Sequence, residues 1–315
     1  MSFDTFVLRE AYRRYQKLGD KLTDAGKLID WKAFVPIIAG LFSNNTPLGG
    51  RPNYDGILML KMLVLQQWHG LSDQELERQV TDRLSFLSFL GFPERIPDYT
   101  TVWLFRERLI KSGKMEKVWR ELQRQLESKG MDPKKIVAQD STFITADPGH
   151  ASMEEQRGNT AMTRRSKDGT WAMKLKKSYF GFKLHVKTDL SHGLIRAFRT
   201  TTASVHDSQV DLSRRGEVVY RDKGYFGVPA KGHDATMQRG TRAGPIGIWD
   251  RLRNARISRR RAPIERTFSV LKRTFRAGHV MVTTVPRVKV KMLFSCLCFN
   301  LMQMLTLEKK RQASV

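Results

Sequence analysis

Residues 251–276 read RLRNARISRRRAPIERTFSVLKRTFR, ten Lys and Arg with a single acid, Glu265. Pro263 suits the first turn of a helix, where its missing N–H leaves no donor unsatisfied. From there Ile264, Phe268, Leu271 and Phe275 fall at i, i+4, i+7 and i+11, one apolar stripe of helical period. Glu265, Ser269, Lys272 and Arg276 follow the same spacing one residue later and line the shoulder of that stripe. A carboxylate so placed borders the core yet faces outward, and a lysine lies two turns further along the same face. The pair suits a metal-binding acid beside a phosphate-binding cation. The plainer alternative is that Glu265 only complements the positive end of the helix macrodipole.

The residues upstream bear on that choice. EVVYRDKGYFG reads as a short strand ending on Asp222, with Gly224 permitting a sharp turn, and ligands gather outside the carboxyl ends of strands in open α/β sheets. Residues 231–254 are Gly-rich and basic, an irregular connection by pattern. Before Asp222, SYFGFKLHVKTD alternates Phe180, Phe182, Leu184 and Val186 against Lys183, His185 and Lys187. With GLIRAFRTTT it forms an antiparallel hairpin across Ser191–Gly193. His206, Asp207 and Ser208 follow, where the simplest role is a helix N-cap, with support of the site by His206 or Asp207 as the alternative. Residues 145–178 form a long charged loop, a length that goes with function or disorder. Further back, IVAQDSTFI sets Ile136, Ala138, Asp140, Thr142 and Ile144 on one face of a strand. A half-buried carboxylate in mid-strand is costly unless partnered. A metal ion would serve; so would a salt bridge to one of the many Lys or Arg.

The first 130 residues show no strand pattern. Asp30 to Leu41 reads as a short apolar helix, and SNNTPLGGRPN after it as a turn region. Tyr54 to Trp68 is apolar nearly all round, as in the central helix of a bundle. Gly70 ends it; Ser72 and Glu75 stand in capping-box positions for a helix that turns Leu76, Val80, Leu84 and Leu87 inward. Asp98 or Thr100 caps a further helix through Lys111 whose exposed side carries Arg106 and Arg108, with Trp103 nearby. A last helix, Met115 to Lys129, alternates charge like a solvated face. Short helices with basic residues on the last but one fit helix-turn-helix geometry and an ordinary bundle equally well.

Composition narrows the function classes. The 315 residues hold 56 Lys+Arg against 31 Asp+Glu, a formal charge of +25, on a chain with 40% apolar residues. That excess argues for a nucleic-acid partner, and its spread along the chain argues against a membrane-surface helix. The opening MSFDTFVLREAYRRY carries charges where a signal peptide needs an apolar run. Met292 to Leu307 is apolar but short and interrupted by Asn300 and Gln303, a buried helix by this reading and not a membrane span. Cys296 and Cys298 lie inside it and cannot bridge on a helix, which fits a reducing cytoplasm.

Several ordered blocks then carry a family likeness: DST (Asp140–Thr142), FGFK (Phe180–Lys183), VHDS (Val205–Ser208), DKGYFG (Asp222–Gly227) and Arg261, Glu265 and Lys272 at RxxxExxxxxxK spacing. GRPNYD (Gly50–Asp55), WHGLSDQELERQVTDRLSFLSFLGF (Trp68–Phe92) and PDYTTVWLFR (Pro97–Arg106) extend it to roughly residues 30–305. The chain resembles insertion-sequence DDE transposases of the IS-four/IS-five grouping. One departure is Ser258 where that signature has Tyr three residues before the Arg. The resemblance implies an α/β fold, a ribonuclease-H-like mixed sheet flanked by helices and preceded by an all-helical N-terminal domain. The expected limits are a helical DNA-binding domain over 1–130, a catalytic domain over 131–310 and a basic tail over 311–315.

It also implies a DNA transposase that cleaves element ends and transfers the 3′-OH strand by a two-metal mechanism. Asp140 would bridge two Mg²⁺ ions, with Mn²⁺ as substitute, and Asp222 and Glu265 would each hold one. Phosphate contacts fall to Arg261, Lys272, Arg259, Arg260, Arg106 and Arg108, with Trp103, and a supporting role to His206 or Asp207. Implied partners are double-stranded DNA (terminal inverted repeats and target) and a second copy when on DNA, in a cytoplasmic, nucleoid-associated setting. A nuclease of the same fold that never joins ends, and a non-catalytic DNA-binding repressor, are the alternatives.

Overall fold

The protein is described by a computed structural model over residues 3–42, 52–149, 166–174, 176–240 and 244–313. The chain divides into two compact units, Met1–Lys129 together with Leu293–Val315, and Gly130–Met292.

The first unit is helical: α1 (Phe3–Gln16), α2 (Lys21–Lys27), a 3₁₀ turn (Trp31–Phe34) running into α3 (Val35–Ile38), α4 (Gly56–His69), α5 (Asp73–Asp82), α6 (Leu84–Leu90), α7 (Tyr99–Lys111) and α8 (Met115–Ser128). Caps define the helix ends. Asp55 accepts from the N–H groups of Ile57 and Leu58 to start α4, and Gly70 ends it at φ 65°. Ser72 accepts from Glu75 N, but the Glu75 carboxylate goes to Arg78 and Gln79 instead of back to the cap. Asp98, not Thr100, caps α7 through Thr101 N. The expected single helix after Ser72 is two, because Arg83 is extended (φ −104°, ψ 119°). That break resets the helical phase: Leu76 and Val80 stay buried, while Phe86, Phe89 and Leu90 take the inward positions in place of Leu84 and Leu87. α8 buries Met115, Val118, Leu122 and Leu126 along one face. Of the turn region expected at 43–53, residues 43–51 lie outside the described residues.

Among the described residues the second unit is built on a seven-stranded mixed sheet: β1 (Ile136–Ala146), β2 (Thr170–Lys174), β3 (Lys177–Asp189), β4 (Ile195–Thr202), β5 (Val218–Arg221), β6 (His233–Thr236) and β7 (His279–Val280). The order is β2-β3-β1-β5-β6, with β4 on β3 and β7 on β1. β1 is central: it runs antiparallel to β3, opposing Asp140 to Val186, and parallel to β5, opposing Ala138 to Tyr220. Gly181 is required where β3 meets β1. It sits at φ 138°, and a Cβ there would lie 2.3 Å from the Ile144 carbonyl oxygen.

Three expectations change here. Residues 145–178 are not all loop, since β1 continues to Ala146 and β2 forms at Thr170–Lys174; residues 150–165 are outside the description. The connection over 231–254 holds β6 and the start of a 26-residue helix, α9 (Ile248–Arg273). Pro263 is therefore inside α9 and not at its start. The alternation in β3 does not mark a wet face, since every residue from Phe180 to Asp189 is buried. Lys183 meets Asp207 at 2.9 Å, Lys187 meets Glu217 at 2.7 Å, and Asp189 receives Arg196 at 2.6 Å. A strand paired on both sides and covered on both faces must partner each polar group internally.

The last helix, α10 (Val285–Ala313), is long and apolar enough to cross a membrane, but 67% of its most apolar stretch is buried in the protein. Cys296 and Cys298 are free and buried, and Cys298 Sγ points at the Val64 carbonyl of α4. The expected boundary at 310 shifts accordingly: residues 293–313 belong to the helical unit, and residues 311–313 continue α10 instead of forming a tail.

Candidate active site

Asp140 lies at the middle of β1 with its side chain 16% exposed. Its neighbours within the strand give it one contact, the Ser141 N–H to Oδ1 at 2.8 Å. Two further steps of the β1–β5 register bring it alongside Asp222, just beyond the end of β5. Asp222 caps a 3₁₀ turn (Lys223–Tyr225) by accepting from Gly224 N at 2.8 Å. Gly224 needs no left-handed backbone; the left-handed residue of this turn is Gly227, at φ 87°.

The partner of Asp140 comes from α9. Arg261 Nη2 donates to Asp140 Oδ2 at 2.6 Å, and the Arg261 side chain is only 9% exposed. Burial raises the Asp140 pKa most, Arg261 pulls it back, and the Asp222 carboxylate adds to the rise, leaving it at about 6. Two carboxylates and one guanidinium thus converge where β1 and β5 approach α9. Arg261 was expected on DNA phosphate; in this state it is the salt-bridge partner that the mid-strand aspartate needed. Its Nε is buried and makes no hydrogen bond.

Glu265, one turn further along α9, is exposed. Among the described residues no three His, Cys, Asp or Glu come together as a metal-ligand group. The expected trio is therefore gathered only as Asp140 and Asp222. Arg259 and Arg260 are exposed on α9, as phosphate contacts require, while Ile264, Phe268, Leu271 and Phe275 are buried as their period predicts.

Along Ser141–Phe143 of β1 opens a cavity of about 440 Å³ whose lining also includes Tyr179, Asp207 and Lys272. Burial opposes it, yet hydrogen bonds from Lys183 and Ser141 hold the Asp207 carboxyl below the usual range. Asp207 thus ties β3 to the residue following Asp140, a supporting place the motif alone did not separate from a cap. His206 is the cap: its Nδ1 accepts from Ser208 N at 3.3 Å to open a short 3₁₀ turn. Lys272 keeps much of its surface in solvent, yet desolvation and then the charge of Lys174 lower its pKa.

Tyr225 was not singled out by sequence. Burial foremost, then the carboxylates of Asp140 and Asp207, raise its pKa above the usual range. Its spacing of three from Asp222 on a tight turn was the available signal, because such a turn brings i+3 back beneath i.

In the helical unit Arg106 does not face outward. It grips Asp73 with two hydrogen bonds, at 2.9 and 2.7 Å, and Gln66 with a third. The bidentate pair joins α7 to α5, so the residue expected on DNA is a brace. Arg108 stacks over Phe42 at 5.5 Å, and Trp103 is 38% exposed.

Residues 131–301 match the family model described as Transposase DDE domain, and residues 10–108 match one described as Transposase domain (DUF772). Among solved structures, the chain is similar to a piggyBac transposase in a cryo-EM synaptic complex with hairpin DNA. That match has a TM-score of 0.44 and 11% identity, covering 94% of this chain and 74% of the other.

Proposed function

The chain belongs to the Transposase DDE domain family of DNA transposases, whose fold is ribonuclease-H-like, and on that premise we propose that it cuts the ends of a mobile element and transfers the freed 3′-OH strand into target DNA. The observation that carries the reading is the placement of Asp140, desolvated in the central strand, beside Asp222 at the end of the adjacent parallel strand. Two such carboxylates repel each other and require positive charge between them. DDE transposases generally use divalent metals. All-oxygen donors suit Mg²⁺ or Mn²⁺, and Arg261 already brings positive charge to Asp140. Asp140 and Asp222 would hold two ions, with Glu265 of α9 completing the set. When bound, such ions lower the cost of forming the attacking oxygen and of releasing the departing one.

The chain's own groups do the rest. Arg261, once released from Asp140, would turn its planar fork to a backbone phosphate. Arg259, Arg260 and Lys272 would hold the strand on either side. Asp207 would keep Ser141, and through it β1, in place. In the helical unit Arg108 and Trp103 would meet the terminal inverted repeats. Two ends must be brought together, so a homodimer on DNA is proposed, acting in the cytoplasm at the nucleoid.

Single changes Asp140→Ala, Asp222→Ala and Glu265→Ala test the reading on duplex DNA bearing an element end. Mg²⁺-dependent cleavage should fall by more than the roughly 10–100-fold typical of removing a metal ligand's supporting partner. DNA affinity should stay near wild type, because phosphate contacts supply most of it. Wild-type cleavage rates in these variants would reject the assignment. Cleavage without joining of precut ends would leave a nuclease.

A further inference from the structure

β2 and β3 close on each other with Lys174 directly opposite Lys177. Like charges in that position destabilise a strand pair, and an anion bound between them would offset the repulsion. Lys272 of α9 reaches the same cavity and faces Lys174 closely enough to feel its charge. The carboxylate that lines this space, Asp207, is already held by Lys183 and Ser141. None of the three lysines has an ion-pair partner among the described residues.

The opposite character sits on the same wall. The rings of Phe143 and Tyr179 stack in parallel, 4.7 Å between centroids and 7° between planes, and both line the cavity. The Lys183 ammonium lies over the Phe143 ring at 5.2 Å, which leaves Tyr179 as the ring to meet an incoming base. About 440 Å³ is a small-ligand volume, too narrow for a base pair with both backbones. Lysines beside a flat aromatic surface are how proteins hold unpaired nucleotides, whose base faces are free to stack.

We propose that this cleft is a subsite for one unpaired nucleotide of DNA, its phosphate on Lys174, Lys177 and Lys272 and its base on Tyr179. That the polymer is DNA rests on the transposase reading; the cleft itself does not.

The test is binding by the full chain, without metal, of fluorescent tetrathymidylate, an abasic strand of equal charge and a short duplex. Tyr179→Leu should weaken tetrathymidylate on the order of tenfold. Tyr179→Phe should restore it, and the abasic strand and duplex should be unaffected by either change. Lys174→Ala and Lys177→Ala should weaken both single strands and each lower the salt slope by about 0.7. Photocrosslinking of 5-iodouracil-containing strand to the unaltered chain should label Tyr179, a readout that does not depend on any variant folding. Equal binding of thymidylate and abasic strands with Tyr179→Leu unchanged, or a crosslink confined to other residues, overturns the subsite. If thymidylate binding behaves as described while the Asp140, Asp222 and Glu265 variants cleave normally, the cleft stands and the transposase assignment of those acids fails.

Discussion

At Asp140 and His185 the chain buries two titratable groups whose pKa values move in opposite directions. His185 is fully buried on β3, held by a 2.9 Å hydrogen bond between Nε2 and Thr201 Oγ1, and burial outweighs the nearby Asp207 charge to lower its pKa to about 4. It stabilises the fold fully above its unfolded value of 6.5, and that stability is lost as pH falls towards 4. Asp140 works the other way. With its pKa raised from 3.8 to about 6, it binds a proton more tightly when folded, so stability falls as pH rises across that range. Each shift corresponds to about 3 kcal/mol, so the two nearly cancel between pH 4 and 6. In metal-free buffer, urea midpoints of His185→Gln should therefore decline as pH rises through that window, and those of Asp140→Asn should climb. A His185→Gln profile as flat as wild type would contradict the assignment. Sequence located Asp140 and its need for a partner, because aspartate in mid-strand is anomalous in itself. It did not choose Arg261 from ten candidates in one stretch, and it placed Arg106 on DNA when Asp73 holds it. Those choices are made by distance in space.

Elements were legible to the extent that their signals are local. Ser72, Asp98 and Gly70 mark helix ends because a cap involves residues two or three positions apart. The β3–β4 hairpin and β5 were visible for the same reason. What period did not convey was position in the sheet. β3 alternates like an edge strand, yet its interior place, paired on both sides, buries Lys183, His185 and Lys187. The start of α9 was missed because Pro263 suits a first turn so well; an interior proline removes one hydrogen bond, which the buried Ile257, Ile264 and Phe268 offset. The β1–β3 join yields a prediction at this scale. Gly181→Ala forces a side chain against the Ile144 carbonyl at a φ of 138°, with no flexible neighbour to yield. Unfolding by urea should show a loss of about 3 kcal/mol or more. Hydrogen exchange should rise first along the β1–β3 ladder, and protection equal to wild type would show that the strands can part without cost.

For the molecule as a whole, the C-terminal helix is the main revision. Leu297, Cys298, Leu301 and Met304 are buried, and they are counted among the core of the helical unit though they follow the sheet in sequence. Leu301→Ala should cost about 2–5 kcal/mol, the range for a leucine removed from a packed core. Exchange protection should drop in α4 while β1 keeps its own; loss confined to β1 would put the helix with the sheet after all. Read by itself, the chain determined a helical first half, a strand–hairpin–strand–helix order after it, a basic surface and two acids set on strands. Those follow from propensity, period and charge, which act between residues a few positions apart or summed over the whole chain. Only the tertiary structure decided that Arg261 holds Asp140 across 121 residues and that the last helix returns to the first unit. Coulombic attraction and apolar burial act through space, and many sequence partners satisfy them equally well until the backbone brings one within reach.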